Sequence, residues 1–431
     1  PSLTITNTTE EDSDGGREST IVFKGEQSGG ELSTLAEIEA SHDGTADDEK
    51  GDLIFRTNDG SDGASPTERL RIDSAGSIIP ATLGTNNTHL GDGAGESIAS
   101  GGQRNTFVGS TSGQSTTTGD FNSALGNNSL GANVTGTHNT AIGDFSLALN
   151  TGNENTAVGQ GSLEANTSGA NNVAVGKSAL GANTTASNST AVGKGALTAS
   201  TGAFNTAVGS ISATAVTAGA RNTALGYGAL QTDTQGSRAT ALGFNALGNQ
   251  NFTSATDSYN VGIGYDAGGA LTTGQFNTFV GSLSGDANTT ASGNSSLGYS
   301  SLSGNTTGEF NAAVGREAME ANTEGSNNTA LGFRALEADT KGSHSVAIGR
   351  QALKVQNFTS ATDSHSTAVG NNAGLASTTA TYNTLMGSNA ASSITTGGYN
   401  TFVGSSAAGN AETVAFSSIV GMSTLTGDTS S

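Results

Sequence analysis

This chain of 431 residues has no cysteine, no tryptophan and only three prolines, and aromatic residues make up 5% of it. The lack of cysteine excludes disulfides and thiolate metal sites, so the redox compartment stays undetermined. Hydrophobic residues reach only 33% while glycine contributes 64 residues, which excludes the thick core of an ordinary globular domain. Charged residues are also scarce, at 12%, whereas disordered chains combine low hydrophobicity with many charges and prolines. The remaining Asn, Thr, Ser, Ala and Gly suit thin, stacked β-layers.

Basic clusters are missing as well, and the formal net charge is −21. Residues 1–80 hold 18 acidic and 6 basic side chains, so more than half of the excess negative charge lies there. An acidic surface is poorly matched to phosphate backbones, and we therefore expect no nucleic-acid partner. No apolar run approaches membrane-spanning length, so we expect no membrane insertion.

From about residue 87 onward, one five-residue phrase recurs with small changes. Twenty glycines that end the phrase, from Gly91 to Gly421, are mostly 17 residues apart, with other intervals of 16, 18 or 21. This step is too short for a helical hairpin and fits one coil of a β-solenoid with short strands. The sequence therefore predicts an all-β chain in which residues 81–431 form a parallel β-solenoid, or β-roll, of about twenty 17-residue coils. Clear copies of the phrase are Asn139-Thr-Ala-Ile-Gly143, Asn155-Thr-Ala-Val-Gly159, Asn222-Thr-Ala-Leu-Gly226 and Asn328-Thr-Ala-Leu-Gly332.

Positions numbered from the anchor glycine predict distinct roles. Asn occupies position −4 in fifteen of the twenty copies, which is typical of a stacked amide ladder or of a left-handed turn. Thr or Val at −3 and Val, Leu or Ile at −1 should point to one face of the strand, and Ala at −2 to the other. The anchors, among them Gly143, Gly159, Gly226 and Gly332, are expected to adopt a positive φ at a corner of the coil.

Positions −2 and +4 exchange volume. Where position −2 is Phe107 or Phe279, position +4 shrinks to Gly113 or Gly285, although the coil of Gly370 is small at both places. A conserved summed volume indicates that the two positions share one packed space, within a coil or across a subunit interface. Because a thin coil buries little apolar surface and Ala-lined faces can approach closely, we expect lateral association of identical chains, with three as the expected number.

Two coils carry the same inserted segment, Gln-Asn-Phe-Thr-Ser-Ala-Thr-Asp-Ser, at 250–258 and 356–364. The two copies lie 106 residues, or six coils, apart. They are either contact loops on one side of the solenoid or part of a duplicated block without a contact role. For the contact role the candidate residues are Asn251, Phe252, Thr253, Asp257, Asn357, Phe358, Thr359 and Asp363.

Residues 1–80 lack the phrase, and their alternating stretches predict a small antiparallel β domain that ends near Pro80. These stretches are 2–6, 20–23 and 53–56. The acidic loops at 10–14 and 59–63 offer clustered oxygens for calcium. They lack the full pattern of a calcium-binding loop, so solvated turns are the favoured interpretation and we expect no metal.

Two segments resemble known fibre proteins. The stretches Gly51-Asp-Leu-Ile-Phe-Arg-Thr-Asn-Asp59 and Glu68-Arg-Leu-Arg-Ile-Asp-Ser-Ala-Gly76 resemble a segment common in bacteriophage tail-fibre and tail-spike proteins. Repeats such as Val173-Ala-Val-Gly176 and Val346-Ala-Ile-Gly349 look like the head repeats of trimeric autotransporter adhesins, which form left-handed parallel β-rolls. The resemblances imply a homotrimer and adhesion, although the coil here is longer than the usual autotransporter repeat.

Enzymatic chemistry is not favoured by the sequence. Gly262-Ile-Gly264 imitates a dinucleotide fingerprint but is in register with the repeat anchors and has no predicted helix after it, so we expect no cofactor. The five histidines show no pair at metal-ligand spacing. A glycosidase would need two facing carboxylates. The densest acidic group, more typical of a solubilising face, is Glu309, Glu317, Glu320, Glu324 and Glu337.

The function expected from these observations is a structural and adhesive fibre of a virion, such as a phage tail fibre or spike shaft, with no enzymatic activity. Its expected partners are further copies of the chain, other virion tail proteins and a host surface glycan or protein. The alternative is a bacterial extracellular adhesin or a self-assembling surface filament. Either function places the chain on a virion or at a cell surface.

Overall fold

A computed structural model describes residues 6, 18–26, 32–42, 51–58, 66–74, 78–80, 86–98 and 101–422. Every regular element among these residues is a β-strand, so the predicted all-β class is confirmed. The described part contains no helix long and apolar enough to cross a membrane. The chain forms two compact units, Pro1–Asn139 and Thr140–Ser431.

The first unit opens with a five-stranded antiparallel sheet in the order β1-β2-β3-β4-β5. The alternating stretches 20–23 and 53–56 fall in β1 and β3, as predicted. The stretch 2–5 and both acidic loops lie outside the described residues. The strands are β1 (Ser19–Glu26), β2 (Leu32–His42), β3 (Gly51–Thr57), β4 (Thr67–Ile72) and β5 (Ile78–Pro80).

The remaining strands carry the repeat and pair in parallel with aligned anchors, as in the pairing of Ala157 with Ala174. They confirm a parallel β-solenoid of about nineteen coils. Those of the first unit are β6 (Thr88–Leu90), β7 (Thr106–Val108) and β8 (Ser123–Leu125). Those of the second unit are β9 (Thr140–Ile142), β10 (Thr156–Val158), β11 (Val173–Val175), β12 (Thr190–Val192), β13 (Thr206–Val208), β14 (Thr223–Leu225), β15 (Gly236–Ser237), β16 (Thr240–Leu242), β17 (Thr256–Asp257), β18 (Val261–Ile263), β19 (Thr278–Val280), β20 (Ser295–Leu297), β21 (Ala312–Val314), β22 (Thr329–Leu331), β23 (Gly342–Ser343), β24 (Val346–Ile348), β25 (Thr362–Asp363), β26 (Thr367–Val369), β27 (Thr384–Met386), β28 (Thr401–Val403) and β29 (Ser418–Val420).

The antiparallel sheet ends with β5 at Pro80, and the first parallel strand begins at Thr88. The domain boundary near Pro80 nevertheless stays a prediction, because the first compact unit extends to Asn139.

The interior of a typical coil is a narrow column of Ala, Leu and small polar side chains. In the coil of Gly159, Ala157 at −2 and Leu163 at +4 are fully buried, together with Asn155, Ser162 and Asn166. The Ala column therefore lies inside the chain. This corrects the expectation that Ala-lined faces mediate lateral association, because no Ala face of this column reaches the surface.

The volume exchange between positions −2 and +4 occurs within a coil. A Cβ atom on Gly113 would lie 2.6 Å from the ring of Phe107, so the ring occupies the space that Leu fills elsewhere. In the coil of Gly370, which is small at both positions, Gly374 is flanked by Leu353 and Leu385 from the neighbouring coils. Summed volume is thus conserved along the column, as close packing requires.

Asn at position −4 forms an amide ladder, one of the two predicted roles. The Asn105 Oδ1 accepts the backbone N–H of Asn122 at 2.9 Å, and its Nδ2 donates to the carbonyl of Gly119 at 2.9 Å. The left-handed conformation belongs to the preceding residue, such as Asn171 before Asn172, with φ +58°. Each amide therefore satisfies one buried donor and one buried acceptor of the next coil.

The anchor glycines adopt, at a corner of the coil, a backbone conformation that other residues rarely adopt. The φ angles are +127° for Gly143, +128° for Gly159, +136° for Gly226 and +139° for Gly332. A Cβ on Gly159 would also lie 2.7 Å from the carbonyl carbon of Gly176 in the next coil. Glycine is required there by both backbone conformation and stacking.

Candidate functional site

The two inserted segments are ordered and pair with the coil that precedes them. In the first, Thr256–Asp257 forms a short parallel ladder with Gly236–Ser237. In the second, Thr362–Asp363 forms the same ladder with Gly342–Ser343. Each insertion is therefore a widened coil with its own strand pair.

The candidate contact residues Phe252 and Phe358 point inward. Each ring is only 5% exposed, and a Cβ on Gly342 would lie 2.8 Å from the ring of Phe358. These buried rings leave little surface for a partner, and their contact role stays a prediction. Their burial anchors the insertion to the preceding coil, because an apolar side chain next to a glycine fills otherwise empty volume.

A buried carboxylate lies beneath each insertion, at position +7, where Asn is the most frequent residue. The Asp233 Oδ1 accepts the N–H groups of Gly236 and Phe252, both at 3.0 Å, and its Oδ2 accepts the Gln250 amide at 2.6 Å. Asp339 makes the same three contacts in the second copy. Burial raises the pKa of both aspartates. The sequence analysis missed these acids, although the replacement of Asn by Asp one coil before each insertion is a readable signal.

The other candidate residues lie at the surface to different degrees. Thr253, Thr359 and Asn357 are exposed, while Asn251 is half-buried. The Oδ1 atoms of both asparagines accept a threonine hydroxyl of the preceding coil at 3.0 Å. These hydrogen bonds fix the start of the insertion, and a contact role for the polar tip stays a prediction.

The two acidic candidates have different neighbours. Asp257 forms an ion pair with Arg238, whose guanidinium also donates to the Tyr259 hydroxyl at 2.6 Å and lies 5.3 Å from that ring. In the second copy, 106 residues later, Asp363 lies 3.0 Å from the Nδ1 of His344. The first copy therefore supplies a permanent cation, and the second supplies an imidazole.

Two histidines that are distant in sequence are neighbours in space. His344 and His365 stack with ring centroids 5.0 Å apart, and one ligand atom of each lies within 4.8 Å of the other and of Asp363. The sequence shows no such pair because these histidines are 21 residues apart, whereas the coil brings them together in space. All three side chains are exposed.

Exposed aromatic columns are a further surface feature that the sequence analysis missed. At position +1, Tyr227, Phe244 and Tyr265 stack with centroids 5.4 Å apart. At position −5, Tyr382 and Tyr399 stack at 4.7 Å with almost parallel planes. Because neighbouring rings cover each other's faces, mainly ring edges point to solvent, which differs from an open sugar-stacking platform.

The acidic group considered for glycosidase chemistry is largely ion-paired. The Glu317 carboxylate accepts hydrogen bonds from Arg334 and Arg316, which lower its pKa. Burial and the nearby Glu317 and Glu337 raise the pKa of Glu320. Glu324 pairs with Lys341 at 2.8 Å, and Glu309 is half-buried. A glycosidase acid and base need unequal pKa values. Here, however, both guanidinium groups are hydrogen-bonded to Glu317, the carboxylate that would serve as the base.

Asp286, two coils beyond the first insertion, gives a pH-dependent prediction. Burial, and then the nearby Asp266, raise the pKa of Asp286 to about 6. A raised carboxyl pKa contributes stability that is complete below about pH 4 and is lost as pH rises through about 6. Since the group is half-exposed, solvent screening reduces the effect, and we expect Asp286→Asn to stabilise the protein by about 1 kcal/mol at pH 8 and not at pH 4.

Thermal unfolding followed by circular dichroism at both pH values measures this difference. The control is Glu164→Gln at an exposed position. Its effect on the unfolding midpoint should be the same at pH 4 and at pH 8. An equal stabilisation by Asp286→Asn at pH 4 and pH 8 would contradict the assignment.

Comparisons with protein families, with curated proteins and with solved structures found no match to this chain.

Proposed function

We propose that the chain is a structural and adhesive fibre of a virion, such as the shaft of a phage tail fibre or spike, which self-associates laterally. In this role it is not an enzyme, and it acts at a virion or cell surface. Its partners are identical chains, other tail proteins, and a host surface glycan or protein. The resemblance of residues 51–76 to tail-fibre segments and of the repeats to trimeric adhesin heads supports this proposal and favours three chains.

The observation that carries the proposal is a column of exposed aliphatic side chains at position −1. In two successive coils of the second unit, Leu225 is 46% exposed and Leu242 is 40% exposed, and Leu297 and Leu331 further along reach 50% and 47%. The −1 residues between them, Ile263, Val280 and Val314, are half-buried. Position −3 on the same strand face is mostly Thr. A contiguous apolar stripe of this kind on a soluble protein commonly marks an interaction surface.

Coil geometry explains why this stripe should meet an identical stripe. Seventeen parallel strands of the repeat in the second unit have sixteen spacings of about 4.8 Å between them, which give an apolar column about 77 Å long. A partner must present apolar groups at the same spacing along this length, and a second copy of the solenoid does so. Charged side chains are absent from position −1 in all twenty repeats, so close approach desolvates no charge there.

Light scattering of the purified chain should give three times the chain mass, and the double substitution Leu225→Lys/Leu242→Lys should shift it to the monomer. Two lysines on each chain would place like charges inside the interface. The control Ser168→Lys/Thr185→Lys adds the same charge in adjacent coils away from the strand face, at exposed positions, and should leave the mass unchanged.

A monomeric wild-type protein would refute lateral association. Open-ended growth would instead favour a self-assembling surface filament.

A further inference from the structure

We infer that His344, Asp363 and His365 form a binding site for a divalent transition-metal ion, with zinc as the reference ion. The three residues come from adjacent coils at the end of the second insertion. Their ligand atoms lie within 4.8 Å of one another, and Asp363 Oδ1 is 3.0 Å from His344 Nδ1. Two imidazoles and one carboxylate form a ligand set that zinc and its neighbours prefer and that calcium and magnesium do not.

The duplicated block provides the independent observation. In the first copy the corresponding residues are Arg238, Asp257 and Tyr259, and the guanidinium neutralises the carboxylate. In the second copy both neighbours of the carboxylate are histidines. The scaffold thus keeps the aspartate in both copies and replaces a resident cation by two groups that can bind one.

Geometry allows the site to close around an ion. Bonds of about 2.0–2.1 Å at a tetrahedral zinc require ligand atoms about 3.4 Å apart, so even a pair at the 4.8 Å limit needs to approach by only about 1.4 Å. His344 and Asp363 are 43% and 62% exposed, which leaves their side chains free to rotate. Water would complete the coordination, since the chain supplies three ligands. The site would bridge adjacent coils at the widened point of the solenoid.

The test is calorimetric titration of the full chain with zinc chloride at pH 7.5. We expect one zinc per chain, and at least a tenfold loss of affinity in His365→Ala and in His344→Gln, because even outer-shell changes at metal sites cost that much. The matched control Arg238→Ala should leave zinc binding unchanged. Arg238→His/Tyr259→His copies the ligand set into the first block and should add a second zinc per chain.

Further readouts separate a defined site from surface adsorption. Calcium chloride should give no heat from this site. Circular dichroism confirms that each variant keeps its coils. Absence of zinc binding by the wild type, or unchanged affinity in both histidine variants, would overturn the proposal.

Discussion

Replacing Gly159 by alanine is expected to lower the free energy of unfolding by about 3 kcal/mol. The backbone φ of +128° is accessible to glycine almost alone, and the added Cβ would lie 2.7 Å from the carbonyl carbon and 2.8 Å from the carbonyl oxygen of Gly176. Both contacts are with backbone, which cannot move aside without separating the two coils. Guanidinium unfolding followed by circular dichroism measures the loss.

Gly161 in the same coil is the matched control. Its φ is +63°, and the corresponding residue of the next coil is Ser178 at φ +56°, so a side chain is tolerated there. The nearest atom to an added Cβ is the flexible end of Glu164 at 3.1 Å. Gly161→Ala should therefore cost less than about 1 kcal/mol. Equal costs for the two substitutions would mean that stacking between anchors does not determine stability.

The repeat period and the interior of the coil were predictable because each restricts which residue types can occupy particular positions of the repeat. The period follows from the anchor glycine, whose conformation tolerates no side chain. The volume exchange between Phe107 and Gly113 could be recognised in the sequence because phenylalanine and glycine lie at opposite extremes of side-chain volume. The exchange alone did not show whether the two positions pack within one coil or across a subunit interface. The structure places both in the same coil.

The left-handed residues could not be predicted, because they are chemically ordinary. Leu180 and Ser178 adopt φ angles of +50° and +56°, a conformation that costs such residues about 1 kcal/mol or more. Hydrogen bonds to neighbouring coils offset this cost: Leu180 N–H donates to Ala196 at 3.0 Å and Ser178 N–H to Gln160 at 2.9 Å. The tertiary ladder overrides the local preference, and no single-residue propensity reveals it.

The candidate site was predictable in position and only partly in chemistry. The duplicated insertion indicated where the candidate site lies. The sequence of the insertion does not reveal whether its phenylalanine ring points inward or toward solvent. Both rings are buried, and a Cβ on Gly342 would lie 2.8 Å from the ring of Phe358, so the small residue of the preceding coil leaves room for that ring. His344 and His365 are 21 residues apart, an interval that has meaning only once the insertion is known to lengthen one coil from 17 to 21 residues.

Asn205→Ala is expected to destabilise the protein by about 3 kcal/mol, the second large effect. The side chain is fully buried, its Oδ1 accepts the N–H of Asn222 at 2.9 Å, and its Nδ2 donates to the Gly219 carbonyl at 2.8 Å. Alanine removes both partners and leaves a buried donor and a buried acceptor, each costing about 1–3 kcal/mol. Chemical denaturation measures the loss, and amide exchange at Asn222 should accelerate.

Serine provides the graded control, because the chain already uses it one coil earlier. The Ser189 Oγ accepts the N–H of Asn205 at 3.3 Å. The Gly202 carbonyl, which corresponds to the Gly219 carbonyl one coil later, accepts hydrogen bonds from Asn205 and Ser200 instead. Asn205→Ser should therefore recover the acceptor function without the donor and cost about half as much as alanine. If serine and alanine were equally destabilising, the amide would act by filling volume. An intermediate serine variant would instead identify the ladder of side-chain to backbone hydrogen bonds as the element that holds each coil to the next.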